Sequence, residues 1–187
     1  MSIVLVGSTS GSITLQEPAV AGTTVLTLPA TSGNVLTDTS PKAGNVIQVV
    51  SATYATQTSS TSGDTWVDTG LTASITPTSS SSKILVLVAA TGLRKIASTN
   101  AGVAVGLRVL RGATQIVDVG LDNSSTETTA NGGQSTTSSS TCYLDSPATT
   151  SATTYKLQFN NARNVSDPVY ICIANCTSVI TLMEIAA

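Results

Sequence analysis

The sequence predicts an all-β protein: an antiparallel, jelly-roll-like β-sandwich preceded by an extended N-terminal β arm. Apolar residues recur at every second position, not at the three-to-four spacing of an amphipathic helix. Glycine, proline and hydroxyl clusters interrupt these runs at short intervals. Roughly three residues in ten are serine or threonine, which suit strands and turns, whereas charged residues are only 10% of the 187-residue chain, against about a quarter in typical domains.

The composition also limits the classes of partner. A hydrophobic fraction of 41% is adequate for a buried core, and a net charge of -2 is too small to indicate disorder. The same charge gives no attraction to nucleic acid, whose binding domains are usually basic. Residues 1–7 lack the basic flank of a signal peptide, and no stretch reaches the roughly 20 apolar residues of a membrane helix. We therefore expect no nucleic-acid partner and no membrane.

Residues 1–45 are predicted to form an attachment arm. Short alternating segments at 12–15, 23–28 and 35–37 are separated by turn-forming residues, and the sequence SPKAG at 40–44 ends the pattern. Segments this short cannot bury a core by themselves, so the arm needs a partner surface.

Residues 46–187 are predicted to form the sandwich, with about eight strands at turn-rich intervals. Two hydroxyl-rich stretches, 56–63 and 122–141, are predicted loops, and the second is uncommonly long for a compact domain. The alternating or continuous apolar segments are 46–50, 65–69, 73–76, 83–90, 103–109, 115–119, 142–145, 154–159, 169–173 and 179–185.

The most apolar segment, residues 83–90, does not alternate, which indicates a strand covered on both faces. In a sandwich, the second covered face implies an arm, a loop or another subunit. Candidate core or trimer-axis positions on this strand and on the C-terminal strand are Ile84, Val86, Val88, Val179, Thr181, Met183 and Ile185.

No catalytic constellation is evident. A serine hydrolase needs a base, usually histidine, and the chain has none. Asp64 and Asp68 flank Trp66, as a glycosidase or a sugar-stacking site requires, but the simpler interpretation is that Trp66 caps the sandwich edge. We predict no enzyme activity, no catalytic residues and no cofactor.

The three cysteines are Cys142, Cys172 and Cys176. An odd number cannot pair completely within one chain, and three ligands fall short of the usual four of a structural zinc site. We expect reduced, packed thiols and no metal site.

Several blocks of the sequence resemble virion proteins of tailed bacteriophages, notably those of marine and cyanobacterial hosts. Residues 11–37 (GSITLQEPAVAGTTVLTLPATSGNVLT) are similar to a segment of tail-fibre and other virion proteins. Similar to a domain of the same proteins are 64–77 (DTWVDTGLTASITP) with 82–86 (SKILV), 144–155 (LDSPATTSATTY) and 178–187 (SVITLMEIAA). The resemblance implies a non-enzymatic virion protein, assembled in the host cytoplasm, with a jelly roll akin to the tumour necrosis factor type and trimeric assembly.

The leading prediction is a homotrimeric capsid decoration, or cement, protein whose arm adds strands to neighbouring chains such as the major capsid protein. The alternative is a short tail fibre or appendage that contacts tail or adaptor proteins and the host, where a surface glycan is a possible partner. Possible contact residues, either solvated or at an intersubunit or capsid-facing surface, are Arg94, Lys95, Arg108, Arg111 and Trp66.

Overall fold

The computed structural model describes residues 3–6, 9–15, 42–97, 102–123, 125–126, 133–163 and 167–187, which form strands and turns but no helix. The predicted all-β class is confirmed. The chain divides into two compact units, Met1–Val35 and Leu36–Ala187. Because residues 16–41 lie outside the described part, the strands predicted at 23–28 and 35–37 and the boundary at residue 45 stay predictions.

The first unit contains a two-stranded antiparallel sheet. Strand β1 (Ile3–Val6) pairs with β2 (Ser12–Leu15), so that Ile3 lies opposite Leu15. The strands of the second unit are, in chain order, β3 (Val46–Tyr54), β4 (Thr58–Ser60), β5 (Val67–Ile75), β6 (Lys83–Ala97), β7 (Val103–Arg111), β8 (Thr114–Gly120), β9 (Ser125–Thr126), β10 (Gly133–Asp145), β11 (Thr153–Asn161), β12 (Val169–Ile171) and β13 (Ser178–Ile185).

Eight long strands of the second unit form two antiparallel sheets in jelly-roll order. Sheet I runs β3-β13-β6-β10, extended by β12 and β4, and sheet II runs β5-β11-β7-β8, with β9 beside β7. The ladders β3·β13, β5·β11, β6·β10 and β7·β8 join strands placed symmetrically about the β7–β8 hairpin. The described strands of the second unit are therefore arranged as one long antiparallel hairpin rolled into two sheets, which is the jelly-roll topology.

The core lies between the two sheets and is built from alternate residues of each strand. Leu71, Leu107, Leu157, Phe159 and Leu182 are all essentially inaccessible to solvent. Burying a side chain of this size contributes roughly 1.5–3 kcal/mol before the entropy cost of ordering it. The period-two pattern read from the sequence therefore specifies the inward face of each strand.

Strand β5 is continuous, although the sequence suggested separate strands at 65–69 and 73–76. Its register against β11 shifts between Lys156 and Gln158, and Gly70 has a φ of 96° at this point. The chain thus passes through a β-bulge instead of a turn. A side chain at position 70 would overlap the Tyr54 ring, so this bulge requires glycine.

Both predicted loops contain strand, and those predictions were wrong in part. Strand β10 takes up residues 133–145 and pairs with β6 from Gly133 opposite Ala97 to Asp145 opposite Ile84. Its hydroxyl side chains alternate between half-buried and exposed positions, as an edge strand permits without any apolar pattern. Residues 56–63 contain β4, which pairs with β12. Strand β6, which pairs with β10, also continues to Ala97, beyond the end that the sequence predicted at residue 90.

Candidate interaction surface

The outer face of sheet I carries apolar side chains in register across four strands. One row joins Val49, Met183, Leu85 and Leu144; the next joins Ser51, Thr181, Leu87 and Cys142; the third joins Thr53, Val179, Ala89 and Ser140. None of the three rows includes a charged side chain. We call these three rows the apolar face.

The large side chains of the apolar face are open to solvent. Val49 is 56% and Leu144 is 48% exposed, while Leu85, Leu87 and Met183 are half-buried. An antiparallel sheet with one solvated face normally places polar residues there, and sheet I departs from that pattern. A depression of about 540 Å³ on this face is lined by residues 87–89 of β6, residues 140–142 of β10, and Val179 and Thr181 of β13.

The outer face of sheet II is polar and internally hydrogen-bonded. Arg108 donates from Nε and Nη2 to Gln158 Oε1 at 2.9 and 2.7 Å, and its guanidinium lies 4.3 Å from the centre of the Trp66 ring. Asp68 accepts from Lys156 Nζ at 2.9 Å and from Gln158 Nε2 at 2.6 Å. We call Trp66, Asp68, Arg108, Lys156 and Gln158 the polar face.

These contacts change the pKa of Asp68, which with Asp64 flanks Trp66 in the arrangement that a glycosidase requires. Partial burial alone would raise the pKa of Asp68, but the hydrogen bonds from Gln158 and Lys156 outweigh it and the pKa is lowered. Asp64 lies in the turn before β5, where its backbone N–H donates to the Asn161 carbonyl. A general acid needs a raised pKa, so Asp68 is unsuited to that role.

The candidate core or axis residues divide between the two faces of sheet I. Ile84, Val86 and Val88 are buried between the sheets and belong to the core. The four residues on β13 are half-buried on the outer side. Val179, Thr181 and Met183 belong to the apolar face, whereas Ile185 lies one row beyond it, opposite Lys83. The sequence grouped them by hydrophobicity, whereas strand pairing separates them.

The four basic candidates do not form one patch, because Arg94 and Lys95 lie on sheet I whereas Arg108 and Arg111 lie on sheet II. Arg111 Nη1 lies 2.9 Å from a carboxylate oxygen of buried Asp145, which also accepts from the Tyr155 hydroxyl at 2.7 Å. Burial and the Asp145 carboxylate both raise the pKa of Tyr155. Asp145 ends β10, so this cluster ties sheet I to sheet II.

The other two basic residues lie beyond an irregularity in β6. Gly92 has a φ of 62°, and the register with β10 shifts nearby. Past this point Arg94 lies 5.7 Å from the Tyr170 ring centre, and Lys95 is fully buried. Lys95 Nζ has no hydrogen-bond partner among the described residues, and burial lowers its pKa. Lys95 is therefore not accessible as a contact residue in this state of the subunit.

Glu184 is a buried polar residue that sequence reasoning missed. Its carboxylate accepts hydrogen bonds from Gln48 Nε2, and from the Thr78 backbone N–H at 2.8 Å and hydroxyl at 2.7 Å. Burial raises the pKa of Glu184, but these hydrogen bonds outweigh burial and lower it. The only sequence signal was its place in the alternation of β13, which puts it on the same face as Leu182.

The three cysteines differ in their exposure to solvent. Cys142 is exposed on the apolar face, Cys172 is buried with Sγ 3.2 Å from Ser178 Oγ, and Cys176 is intermediate; all three are free thiols. Within the described ranges, no three histidine, cysteine or acidic side chains are grouped as metal ligands. The described residues also include no helix long and apolar enough to cross a membrane.

Comparison with known proteins does not identify a family for this chain. No protein-family model matches the chain, and no curated protein sequence matches it. Among solved structures, one of infectious bursal disease virus, Gx strain, aligns with 94% of this chain at 11% identity and a TM-score of 0.33. The chain spans 47% of the length of that structure. Function does not transfer at this level of similarity.

Proposed function

We propose that the protein is a non-enzymatic structural component of a tailed-phage virion, acting as a homotrimeric capsid decoration protein. The observation that carries the proposal is the contrast between the two outer faces of one jelly roll: one is polar and hydrogen-bonded, whereas the three rows of the apolar face on the other carry no charged side chain. Soluble monomers rarely expose contiguous apolar patches larger than a few hundred Å². A subunit built this way gains stability when another protein surface covers the apolar face.

The phage context is supported by the sequence resemblance. The resembling block 64–77 supplies Trp66 and Asp68 of the polar face, and the block 178–187 supplies β13, which crosses the apolar face. The sequence blocks that resemble phage virion proteins thus include residues of both the polar face and the apolar face. In this arrangement the polar face is directed to solvent or to the host.

The arm, residues 1–45, is proposed to attach the subunit to the particle, with the major capsid protein as partner. In the described part of the arm, strands β1 and β2 form a two-stranded sheet, and a sheet of this size is marginally stable in water by itself. Val4, Leu5 and Val6 on β1 are 54%, 56% and 80% exposed. Exposed apolar side chains on a two-stranded sheet suit strand addition to a neighbouring chain.

The test is to locate the protein on virions carrying a labelled copy, by electron cryo-microscopy. Decoration predicts many copies spread over the head. A parallel sample with residues 1–40 deleted keeps the strands β3 to β13, so it should still fold and trimerise but lose particle binding. If the truncated protein still decorates heads, the arm is not the anchor.

A tail fibre or short appendage is the second candidate, favoured by the likeness of residues 11–37 to tail-fibre segments. In that case a few copies would be found at the tail, and the polar face is the surface that would meet a host glycan. Trp66 is half-buried there beneath Arg108. Glycan-array binding that is lost on Trp66→Ala would favour this role over decoration.

A further inference from the structure

We infer that the apolar face is the surface through which copies of this chain contact one another. The inference rests on the proposed trimer and names the part of the subunit that forms it. The occupant is a second copy of this chain, and charge is the first reason. The three rows include no ionic group, so identical faces can meet without like-charge repulsion and without an oppositely charged partner.

Shape is the second reason. Leu144 and Val49 project at opposite edges of one row, on β10 and β3, and each is about half exposed. The short side chains of Ala89, Ser140 and Cys142 leave the neighbouring depression between β6 and β10. A projecting apolar side chain and an apolar hollow on the same face are complementary to a second copy of that face.

Size is the third reason. Four strands about 4.8 Å apart, with rows about 6.8 Å apart, give a projected area on the order of 400 Å². A specific interface takes about 800 Å² of accessible surface from each partner, with an apolar core and a polar rim. The apolar face therefore matches an interface core, and the hydroxyls of Ser51, Thr53 and Ser140 provide rim positions. Around a threefold axis the contact is heterologous, so one edge of the apolar face on each subunit meets the opposite edge of the apolar face on the next subunit.

The experiment compares Leu144→Asp with Leu121→Asp in the full-length chain. Leu144 lies on the apolar face at 48% exposure, and Leu121 lies off it at 50% exposure, so the two substitutions cost the isolated subunit similarly little. Light scattering after size exclusion should show trimers for the wild type and for Leu121→Asp. Leu144→Asp should be monomeric at the same concentration, with unchanged circular dichroism. Val49→Asp, on the opposite edge, should repeat the result.

A second readout uses Cys142, which is exposed on this face in the single subunit. Its reaction with a thiol reagent should be slow in the concentrated wild type, faster on dilution, and fast at every concentration in Leu144→Asp. Cys142→Ser identifies the signal of Cys142, because Cys172 is buried and any reaction that remains in this variant comes from the half-buried Cys176.

Three outcomes would overturn the inference. If Leu144→Asp and Val49→Asp remain trimers, the trimer exists but uses another surface, and the proposed function survives without this interface. If Cys142 is protected equally at all concentrations in a monomeric protein, the chain's own arm covers the face and the proposed trimer fails. If the wild type is monomeric with Cys142 fully reactive, the proposed trimer fails as well.

Discussion

At the scale of single residues, Glu184 and Lys95 are buried ionisable groups that the sequence did not distinguish from surface ones. Glu184 is fully buried but accepts three hydrogen bonds, while Lys95 is fully buried and has no partner among the described residues. A satisfied buried carboxylate stabilises the fold, whereas an unpaired buried ammonium destabilises it. The two residues should therefore respond oppositely to removal of the charge.

Replacing Lys95 by methionine should stabilise the protein by about 1–3 kcal/mol, because it removes a buried ammonium that has no hydrogen-bond partner in the described part of the chain and keeps the side-chain volume. Chemical denaturation at neutral pH measures the change, with exposed Lys42→Met as the matched control. Burial lowers the pKa of Lys95 in the folded state. Between that lowered pKa and the unfolded lysine pKa of about 10.4, the unfolded state binds more protons than the folded state, so wild-type stability should rise with pH over this range. Lys95→Met should lack that part of the rise; a loss of stability would show that the ammonium is paired.

Replacing Glu184 by glutamine should destabilise the protein by about 1–3 kcal/mol at neutral pH, since hydrogen bonds to a charged acceptor weaken. The pKa of Glu184 is lowered in the folded state, so its contribution is present above the unfolded pKa of about 4.3 and is lost as pH falls through the folded pKa. Urea denaturation from neutral to acid pH should give a flatter profile for Glu184→Gln. Parallel profiles for the two proteins would contradict the assignment.

At the scale of elements, local pattern predicted most strands, and the failures have a common cause. Strand β10 is rich in serine and threonine, and nothing local separates it from a loop. It becomes a strand because β6 offers a long row of backbone hydrogen-bond partners on its free edge. The β5 bulge was missed for the same reason. The glycine at position 70 predicts a turn locally, and only the distant Tyr54 ring, which lies beside it, explains why a glycine is needed within a strand.

Replacing Gly70 by alanine should therefore lower the free energy of unfolding more than Gly112→Ala. Both glycines have positive φ, but a methyl group at 112 meets open space whereas at 70 it overlaps Tyr54. The shared conformational cost is about 1 kcal/mol, and moving the ring or the bulge adds roughly 1–3 kcal/mol at position 70. Thermal denaturation of the two variants gives the comparison. Equal losses would mean that the ring moves freely away.

At the scale of the whole molecule, the two sides of the sandwich have different physical characters. Sheet II presents an ion pair between Lys156 and Asp68 and a guanidinium of Arg108 that is hydrogen-bonded to Gln158, whereas sheet I presents three apolar rows without a charge. Association through such a face depends on water exclusion and not on ion pairs.

The monomer–trimer equilibrium should accordingly change little when sodium chloride is raised, because there are few charges at the interface to screen. Sulfate should shift it towards the trimer, since excluded salts strengthen apolar burial. Sedimentation equilibrium across the two salt series measures both trends. Dissociation by sodium chloride would instead indicate an interface held by Arg94, Arg108 or Arg111.

The sequence by itself determined the all-β class, the inward face of most strands and the absence of histidine-based chemistry, because these depend on neighbours one or two positions apart or on composition. Only the tertiary structure decided that Val179 and Met183 face outward while Ile84 and Val86 face the core, and that Lys95 and Glu184 are buried. Alternation defines two faces for each strand, but the pairing of distant strands decides which face meets the second sheet. That pairing depends on backbone hydrogen bonds between residues far apart in the chain, which no local pattern encodes.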